Sequence, residues 1–227
     1  MSVSPKVRRL RLRLEPGTTV SALYQQAFRP VALLVLAHGA GAGMTHPFMA
    51  SLAALLAQQG ISTLRFQFPY MEAGSKRPDR PARAHLAVRA AVRKAAALAP
   101  ELPLFAGGKS FGGRMTSQSQ ALDPLPGVRG LVFLGFPLHP PEKPSVDRAV
   151  HLLEVRIPML FVQGTRDSLA RPRLLKGVIR RLGKRATYSP VQDADHSFGV
   201  LVRSGRTEAD VLSEIADVIG RWMRCRN

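Results

Sequence analysis

Apolar runs rich in β-branched and aromatic residues alternate with helical patterns from about residue 30 onward. Most of these runs are apolar on both faces, which favours strands of a parallel sheet covered by helices on both sides. The predicted strands are Leu33–Ala37, Ser62–Phe68, Leu102–Ala106, Gly130–Phe136, Met159–Gln163 and Ala186–Val191. The predicted helices are Pro47–Gln59, Pro81–Ala99, Phe111–Leu122, Arg171–Leu182 and Glu208–Arg224. The pattern therefore predicts an α/β fold with a mostly parallel central sheet.

The N-terminal part of the chain has a different pattern. Residues Val7–Leu14 alternate polar and apolar side chains, and Val20–Ala27 follows after a Pro16-Gly17 turn, which predicts an antiparallel edge to the sheet. The sequence contains no internal repeat, and it contains no linker long enough to separate domains. We therefore expect a single domain over residues 1–227. The segment Leu138–Ile157 is short and partly proline-rich, which predicts a site with no sizeable lid domain.

Composition adds a strongly basic balance, because 33 Lys and Arg residues against 15 Asp and Glu give a net charge of +18. The basic residues are dispersed, and no aromatic residues interleave them as a platform for single-stranded nucleic acid requires. We therefore expect a solvated basic surface and no specific nucleic-acid partner. The single cysteine, Cys225, excludes a disulfide framework and a cysteine-based zinc cluster. The longest apolar run, Val31–Ala37, is far short of the roughly 20 residues that span a bilayer, so a cytoplasmic protein without membrane attachment is expected.

One short motif carries candidate chemistry. Gly108-Lys109-Ser110-Phe111-Gly112 fits the G-x-S-x-G nucleophile elbow, with a predicted strand directly before it and a predicted helix directly after it. The serine of an elbow lies on a strained turn, so small residues must flank it. Its hydroxyl would stand at a helix N-terminus, where the backbone N–H of Phe111 is a candidate oxyanion donor.

Two nucleotide-binding motifs resemble parts of this sequence and fail on detail. A phosphate loop ending at Gly108-Lys109-Ser110 would need a glycine at position 103, which is Pro103. A dinucleotide fingerprint beginning at Gly39 would need a glycine at position 44, which is Met44, and no acidic residue ends the next strand. Neither site is expected.

The residues after the elbow complete the pattern. Asp167 follows the predicted strand Met159–Gln163, and His196 follows the last predicted strand, so Ser, Asp and His occur in the chain order of the α/β-hydrolase triad. A serine hydroxyl is a weak nucleophile, so an imidazole must accept its proton and a carboxylate must orient that imidazole. Asp193 and Asp195 are less favoured alternatives for the carboxylate. The backbone N–H of Ala40, just past another strand, is the second candidate oxyanion donor.

With these motifs the chain resembles the small α/β-hydrolases related to dienelactone hydrolase, and most closely their predicted-hydrolase branch, which includes bacterial and testis-expressed hydrolase-like proteins. The resemblance covers nearly the whole chain from about residue 15. It rests on Ala37–Met44, Leu64–Tyr70, Ala106–Met115, Leu134–Pro141, Phe161–Asp167 and Asp193–Trp222. It implies the triad named above and no cofactor or metal. Dienelactone hydrolases use a cysteine nucleophile, which Ser110 replaces here, so their substrate is not carried over.

Five side chains near the predicted strand ends are candidates for substrate contact. Met44 and Tyr70 are candidates for an apolar pocket wall. Lys109 and Arg114 are candidates for binding an acidic group, although a solvated lysine is the favoured interpretation of Lys109. For His139, a surface histidine beside prolines is favoured over a substrate contact.

The sequence thus predicts a serine hydrolase that cleaves a small carboxylic ester or thioester, with an acidic ester as one option. Two alternatives stay open at this point. One is a non-catalytic, hydrolase-like scaffold, and the other is a basic, nucleic-acid-associated protein.

Overall fold

A computed structural model describes residues 6–226. An eight-stranded sheet runs through it in the order β1-β2-β4-β3-β5-β6-β7-β8. The strands are β1 Val7–Glu15, β2 Thr18–Gln25, β3 Ala32–Ala37, β4 Ile61–Phe66, β5 Leu104–Lys109, β6 Val128–Leu134, β7 Met159–Gly164 and β8 Ala186–Val191. The pairs β1-β2 and β2-β4 are antiparallel, and every other neighbouring pair is parallel. The predicted parallel sheet with an antiparallel N-terminal edge is confirmed.

Helices cover both faces of this sheet. They are α1 Pro47–Gln58, α2 Pro69–Glu72, α3 Pro81–Leu98, α4 Phe111–Leu122, α5 Pro172–Leu182 and α6 Glu208–Arg224. One hydrophobic core lies between the sheet and α3, α4 and α5, and a second lies between the sheet and α1 and α6. Because both faces are buried, the central strands are continuously apolar, which is why their pattern is so clear in the sequence.

The structure corrects several predicted boundaries. β4 ends at Phe66, two residues before the predicted end, because the Phe68 backbone N–H donates to the His38 side chain at 3.0 Å and Pro69 then starts α2. The short helix α2 was not predicted. β5 runs on to Lys109, beyond its predicted end at Ala106, because its glycines still pair with β6.

The segment between β6 and β7 is folded onto the protein. It contains a 3₁₀ helix, Asp147–Glu154, whose Ala149 and Leu152 side chains are buried in the first core. Within the described part of the chain, residues 6–226, no large lid covers the sheet edge, as predicted. Among residues 6–226, no helix is long and apolar enough to cross a membrane.

Candidate active site

The turn between β5 and α4 holds Ser110 in a rare backbone conformation. Its φ is 48° and its ψ is −113°, which a residue with a side chain adopts only under strain. The Ser110 N–H donates to the Leu134 carbonyl of β6 at 2.9 Å, and the Ser110 carbonyl accepts from the Arg114 N–H at 3.1 Å. The turn is therefore held by the sheet on one side and by the helix on the other, with the hydroxyl at the C-terminal edge of the parallel strands.

Glycines around this turn allow a very close approach of two backbones. A Cβ at Gly108 would lie 2.3 Å from the Ala37 carbonyl oxygen, and one at Gly112 would lie 2.6 Å from the same atom. Both distances are below 3.0 Å, closer than Cβ atoms in proteins essentially ever come to a non-bonded neighbour. The small residues that the elbow motif demands are thus needed because β5 and α4 pack directly onto the end of β3.

Ser110, His196 and Asp167 lie in one hydrogen-bonded row. The Ser110 Oγ is 2.8 Å from His196 Nε2, and His196 Nδ1 is 2.7 Å from Asp167 Oδ2. Since a carboxylate can only accept, the imidazole carries its proton on Nδ1 and accepts the serine proton on Nε2. The Asp167 side chain is fully buried, whereas the His196 side chain is 21% exposed. The three side chains that sequence order selected are thus in successive contact, with His196 between Ser110 and Asp167.

The Asp167 carboxylate has two further donors that hold it in place. Its Oδ2 accepts from Gln163 Nε2 at 2.5 Å, and its Oδ1 accepts from the Leu169 N–H at 2.8 Å. Gln163 also accepts from the Phe136 N–H at 2.8 Å, so both ends of its amide are used. Sequence reasoning missed Gln163. The available signal was a buried glutamine in an otherwise apolar strand, which requires polar partners.

The alternative carboxylate at Asp195 has a different role. Its Oδ1 accepts from the Ser197 N–H at 2.7 Å and from the Gly199 N–H at 2.9 Å, which closes the turn that carries His196. Asp193 is exposed and lies in the left-handed region with a φ of 57°. Asp167 is therefore the carboxylate that contacts the imidazole.

The two candidate oxyanion donors belong to two segments that lie next to Ser110, the start of α4 and the loop after β3. Phe111 is the first residue of α4, where helix N–H groups have no partner within the helix. Gly39, just before Ala40, is so near the elbow that a Cβ there would lie 3.8 Å from Ser110 Cβ. His38 braces this loop, since its Nδ1–H donates to the Gly39 carbonyl at 2.8 Å. Burial lowers the pKa of His38 to about 4, so the ring is neutral and not placed to act as a base.

A cavity of about 320 Å³ opens beside Ser110. It is lined by Gly39, Ala40, Gly41, Ala42, His46, Phe48, Met49, Lys109, Ser110, His196 and Ser197. Of the five predicted substrate contacts, only Lys109 lines this cavity. Met44 lines a different concavity of about 700 Å³ beside β1 and β2, and Tyr70 is buried against Phe68 and Phe111.

The other predicted contacts point elsewhere. Arg114 lies near Arg148 of the 3₁₀ helix, and burial together with this like charge lowers the pKa of its guanidinium. His139 is only 1% exposed, so the surface interpretation was wrong. Its Nδ1–H donates to the Pro140 carbonyl at 2.8 Å, and its Nε2 accepts from the Arg171 N–H at 3.4 Å. This histidine fixes the segment after β6 to the start of α5, which the local sequence gave no means to foresee.

The favoured interpretation of Lys109 as a solvated lysine was also wrong. Its ammonium donates to the His196 carbonyl oxygen at 2.5 Å and lies over the rings of Phe48 and Phe198. Neither aromatic residue was singled out from the sequence, because they are far apart along the chain and meet only in the folded protein.

A serine on a strained strand-to-helix turn, faced at the same sheet edge by a histidine and a carboxylate from later turns, is the arrangement of an α/β-hydrolase. The chain belongs to the α/β-hydrolase family, since the family model described as an alpha/beta hydrolase domain matches residues 30–224.

Solved structures with the same fold include three that bear on the predicted branch. A dienelactone hydrolase from Anabaena variabilis has a TM-score of 0.78 at 17% identity, with 99% of each chain covered. An α/β serine hydrolase without a lid from Xanthomonas campestris has a TM-score of 0.72 at 19% identity, covering 96% of this chain and 95% of its own. An α/β serine hydrolase homologue from Coxiella burnetii has a TM-score of 0.74 at 18% identity, covering 94% and 96%. The predicted likeness to dienelactone hydrolases is confirmed, and that to testis-expressed proteins stays a prediction.

Proposed function

We propose that this protein is a serine hydrolase that cleaves small carboxylic esters, or thioesters, through an acyl-Ser110 intermediate. The observation that carries the proposal is the row of hydrogen bonds from Ser110 Oγ through His196 to the buried Asp167. An ester is favoured over an amide because an alkoxide leaves more readily than an amine and demands less of the acid.

The contacts support the following sequence of steps. Ser110 Oγ attacks the ester carbonyl carbon while its proton passes to His196 Nε2, and Asp167 stabilises the imidazolium that forms. The Phe111 and Ala40 N–H groups bind the oxyanion, each worth about 3 kcal/mol of barrier in comparable enzymes. His196 then returns the proton to the leaving alcohol, which breaks the ester C–O bond and leaves the acyl group on Ser110.

Water completes the cycle. His196 Nε2 removes a proton from a water molecule whose oxygen attacks the acyl carbon, and the same proton returns to Ser110 Oγ as the carboxylic acid leaves. The cavity supports a small acyl group, because its 320 Å³ lies near the lower end of the roughly 300–1,000 Å³ seen for ligand pockets.

A fluorophosphonate probe tests the proposal, because it reacts covalently with an activated serine. We expect labelling of the wild type and of Ser51→Ala, whose serine is exposed on α1, and no labelling of Ser110→Ala. Turnover of p-nitrophenyl esters of increasing chain length should show the same dependence on Ser110, with the shorter chains preferred. Labelling that persists in folded Ser110→Ala, or a folded wild type that does not label, would contradict the proposed function.

A further inference from the structure

The side chain directly before the nucleophile crosses the site to the loop that carries the histidine. Lys109 Nζ donates to the backbone carbonyl of His196 at 2.5 Å. It also lies 4.8 Å from the ring centroid of Phe198 and 5.6 Å from that of Phe48. These two rings stack on each other, with centroids 5.7 Å apart and planes within 9°. The ammonium is therefore enclosed between a carbonyl oxygen and two aromatic faces.

The loop that Lys109 contacts is strained next to the histidine. Phe198 has a φ of 69°, a conformation that a bulky residue rarely adopts. Such strain persists only where surrounding contacts hold it. Phe198 is only 3% exposed, and the neighbours of its ring include the Phe48 ring and the Lys109 ammonium. Besides the hydrogen bonds that Asp195 makes within the loop, the position of the loop thus depends on contacts made outside it.

We infer that Lys109 is a positioning residue that ties the His196 loop to the nucleophile elbow and sets the distance between Ser110 Oγ and His196 Nε2. Lys109 is bonded covalently to Ser110, and it hydrogen-bonds the main chain of the residue whose imidazole must meet Ser110. A shift of the loop away from the elbow must break this bond and uncover the ammonium. The role deepens the proposed function and rests on it.

Titration of Lys109 makes the role measurable. Burial lowers the pKa of its ammonium from 10.5 to about 8, and the negative charges of Asp167 and Asp195 partly oppose that effect. His196 on the tied loop and His46 across the cavity are the other titratable groups at this wall. Above pH 8 the amine loses its charge, and both its hydrogen bond and its attraction to the aromatic faces weaken. Turnover should therefore fall on the alkaline side.

The test compares Lys109→Met with Lys109→Arg, using Lys176→Met as a matched control on the exposed surface of α5. For Lys109→Met we expect kcat to fall roughly 10- to 100-fold, the worth of one charge-assisted hydrogen bond, with KM nearly unchanged. The wild-type kcat should decline with an apparent pKa of about 8. Lys109→Met should lack that decline, and Lys109→Arg should restore part of kcat and hold it to higher pH. Lys176→Met should behave as the wild type.

Stability separates positioning from a merely structural role. Removing a buried charge relieves its burial penalty, so Lys109→Met should unfold at the same or a higher temperature than the wild type while kcat falls. If Lys109→Met fails to fold, Phe48→Leu serves instead: it removes one ring from the ammonium and should lower the apparent alkaline pKa. Wild-type kcat for Lys109→Met, or a wild-type kcat that stays flat from pH 7 to 10, overturns the inference. A wild type that does not react with the fluorophosphonate refutes the proposed function instead.

Discussion

Gly164 ends β7 where the loop that carries His196 passes directly against it. A Cβ at this position would lie 2.3 Å from the Ala194 carbonyl oxygen and 2.5 Å from that of Asp195. The backbone of Gly164 is outside the left-handed region, so alanine fits its conformation. Gly164→Ala therefore introduces one methyl group whose entire effect comes from these two contacts.

The size of the effect follows from the distances. An ordinary van der Waals contact between a Cβ and a neighbouring atom begins at 3.4 Å, so the Ala194 carbonyl oxygen must move away from the new Cβ by about 1 Å. That oxygen accepts from the Arg166 N–H at 2.9 Å, and the retreat breaks this bond. Overpacking of this kind costs about 1–3 kcal/mol of stability. Because His196 is two residues further on, the imidazole moves too, and a displacement of about 1 Å is expected to reduce turnover by about 100-fold.

The assay pairs urea unfolding with kcat on a short p-nitrophenyl ester. Gly177→Ala is the matched control, because Gly177 lies within α5 and a Cβ there meets nothing within 4 Å. The control should gain about 0.5–1 kcal/mol from its better helix former and keep full activity. Wild-type activity in Gly164→Ala, with the stability of the wild type, would refute the reasoning that this backbone contact locates His196.

Three further predictions concern the charges around the site. Asp167→Asn should lower kcat by about 10⁴-fold, as loss of the orienting carboxylate does in other triads. Asp195→Asn should retain most activity, because its Oδ1 can still accept from both loop N–H groups. Equal losses of kcat in the two variants would contradict the assignment of Asp167 as the orienting carboxylate. Because the pKa of His38 falls from 6.5 to about 4 on folding, the unfolded chain binds a proton between these values that the folded chain does not. His38 should therefore contribute a loss of about 3 kcal/mol of stability as pH drops from 6.5 to 4. His151, whose pKa burial also lowers to about 4, contributes in the same direction and is retained in His38→Gln. The variant should thus lose about 3 kcal/mol less than the wild type, and identical urea-unfolding profiles would refute a neutral, buried ring. The same argument applies to Lys109 at high pH, because its pKa falls from 10.5 to about 8 on folding. Between these pH values Lys109 stays protonated only in the unfolded chain, so its deprotonation in the folded protein should add up to about 3 kcal/mol to the free energy of unfolding. A Lys109→Met variant with the same gain would show that Lys109 is not its source.

The strand segments along the chain and the nucleophile elbow were open to prediction because each depends on a short stretch of chain. Buried parallel strands are continuously apolar, and a nucleophile turn needs its glycines within a few positions of Ser110. The end of β4, in contrast, could not be predicted from the local sequence. Phe66 and Phe68 are equally apolar, and only the hydrogen bond from the Phe68 N–H to His38 decides that the ladder stops between them.

Two polar residues, His139 and Lys109, likewise show that some features could not be predicted from a short stretch of sequence. His139 stands among prolines and Lys109 in a glycine-rich turn, and each has a sequence neighbourhood typical of the surface. The folded chain buries His139 and encloses the Lys109 ammonium, because Arg171 approaches the histidine and the His196 loop approaches the lysine. Burial of a single side chain depends on these distant segments, so no local pattern records it.

By itself, the sequence determined which side chains can meet. Ser110, Asp167 and His196 each follow a strand, and the C-terminal ends of parallel strands share one edge of the sheet. Only the tertiary structure decided which carboxylate contacts the imidazole, how Gln163 secures it, and where the Lys109 ammonium goes. Those contacts are set by the paths of loops packed against one another, and a hydrogen bond requires its two atoms within about 3 Å, far finer than a hydrophobic pattern can specify.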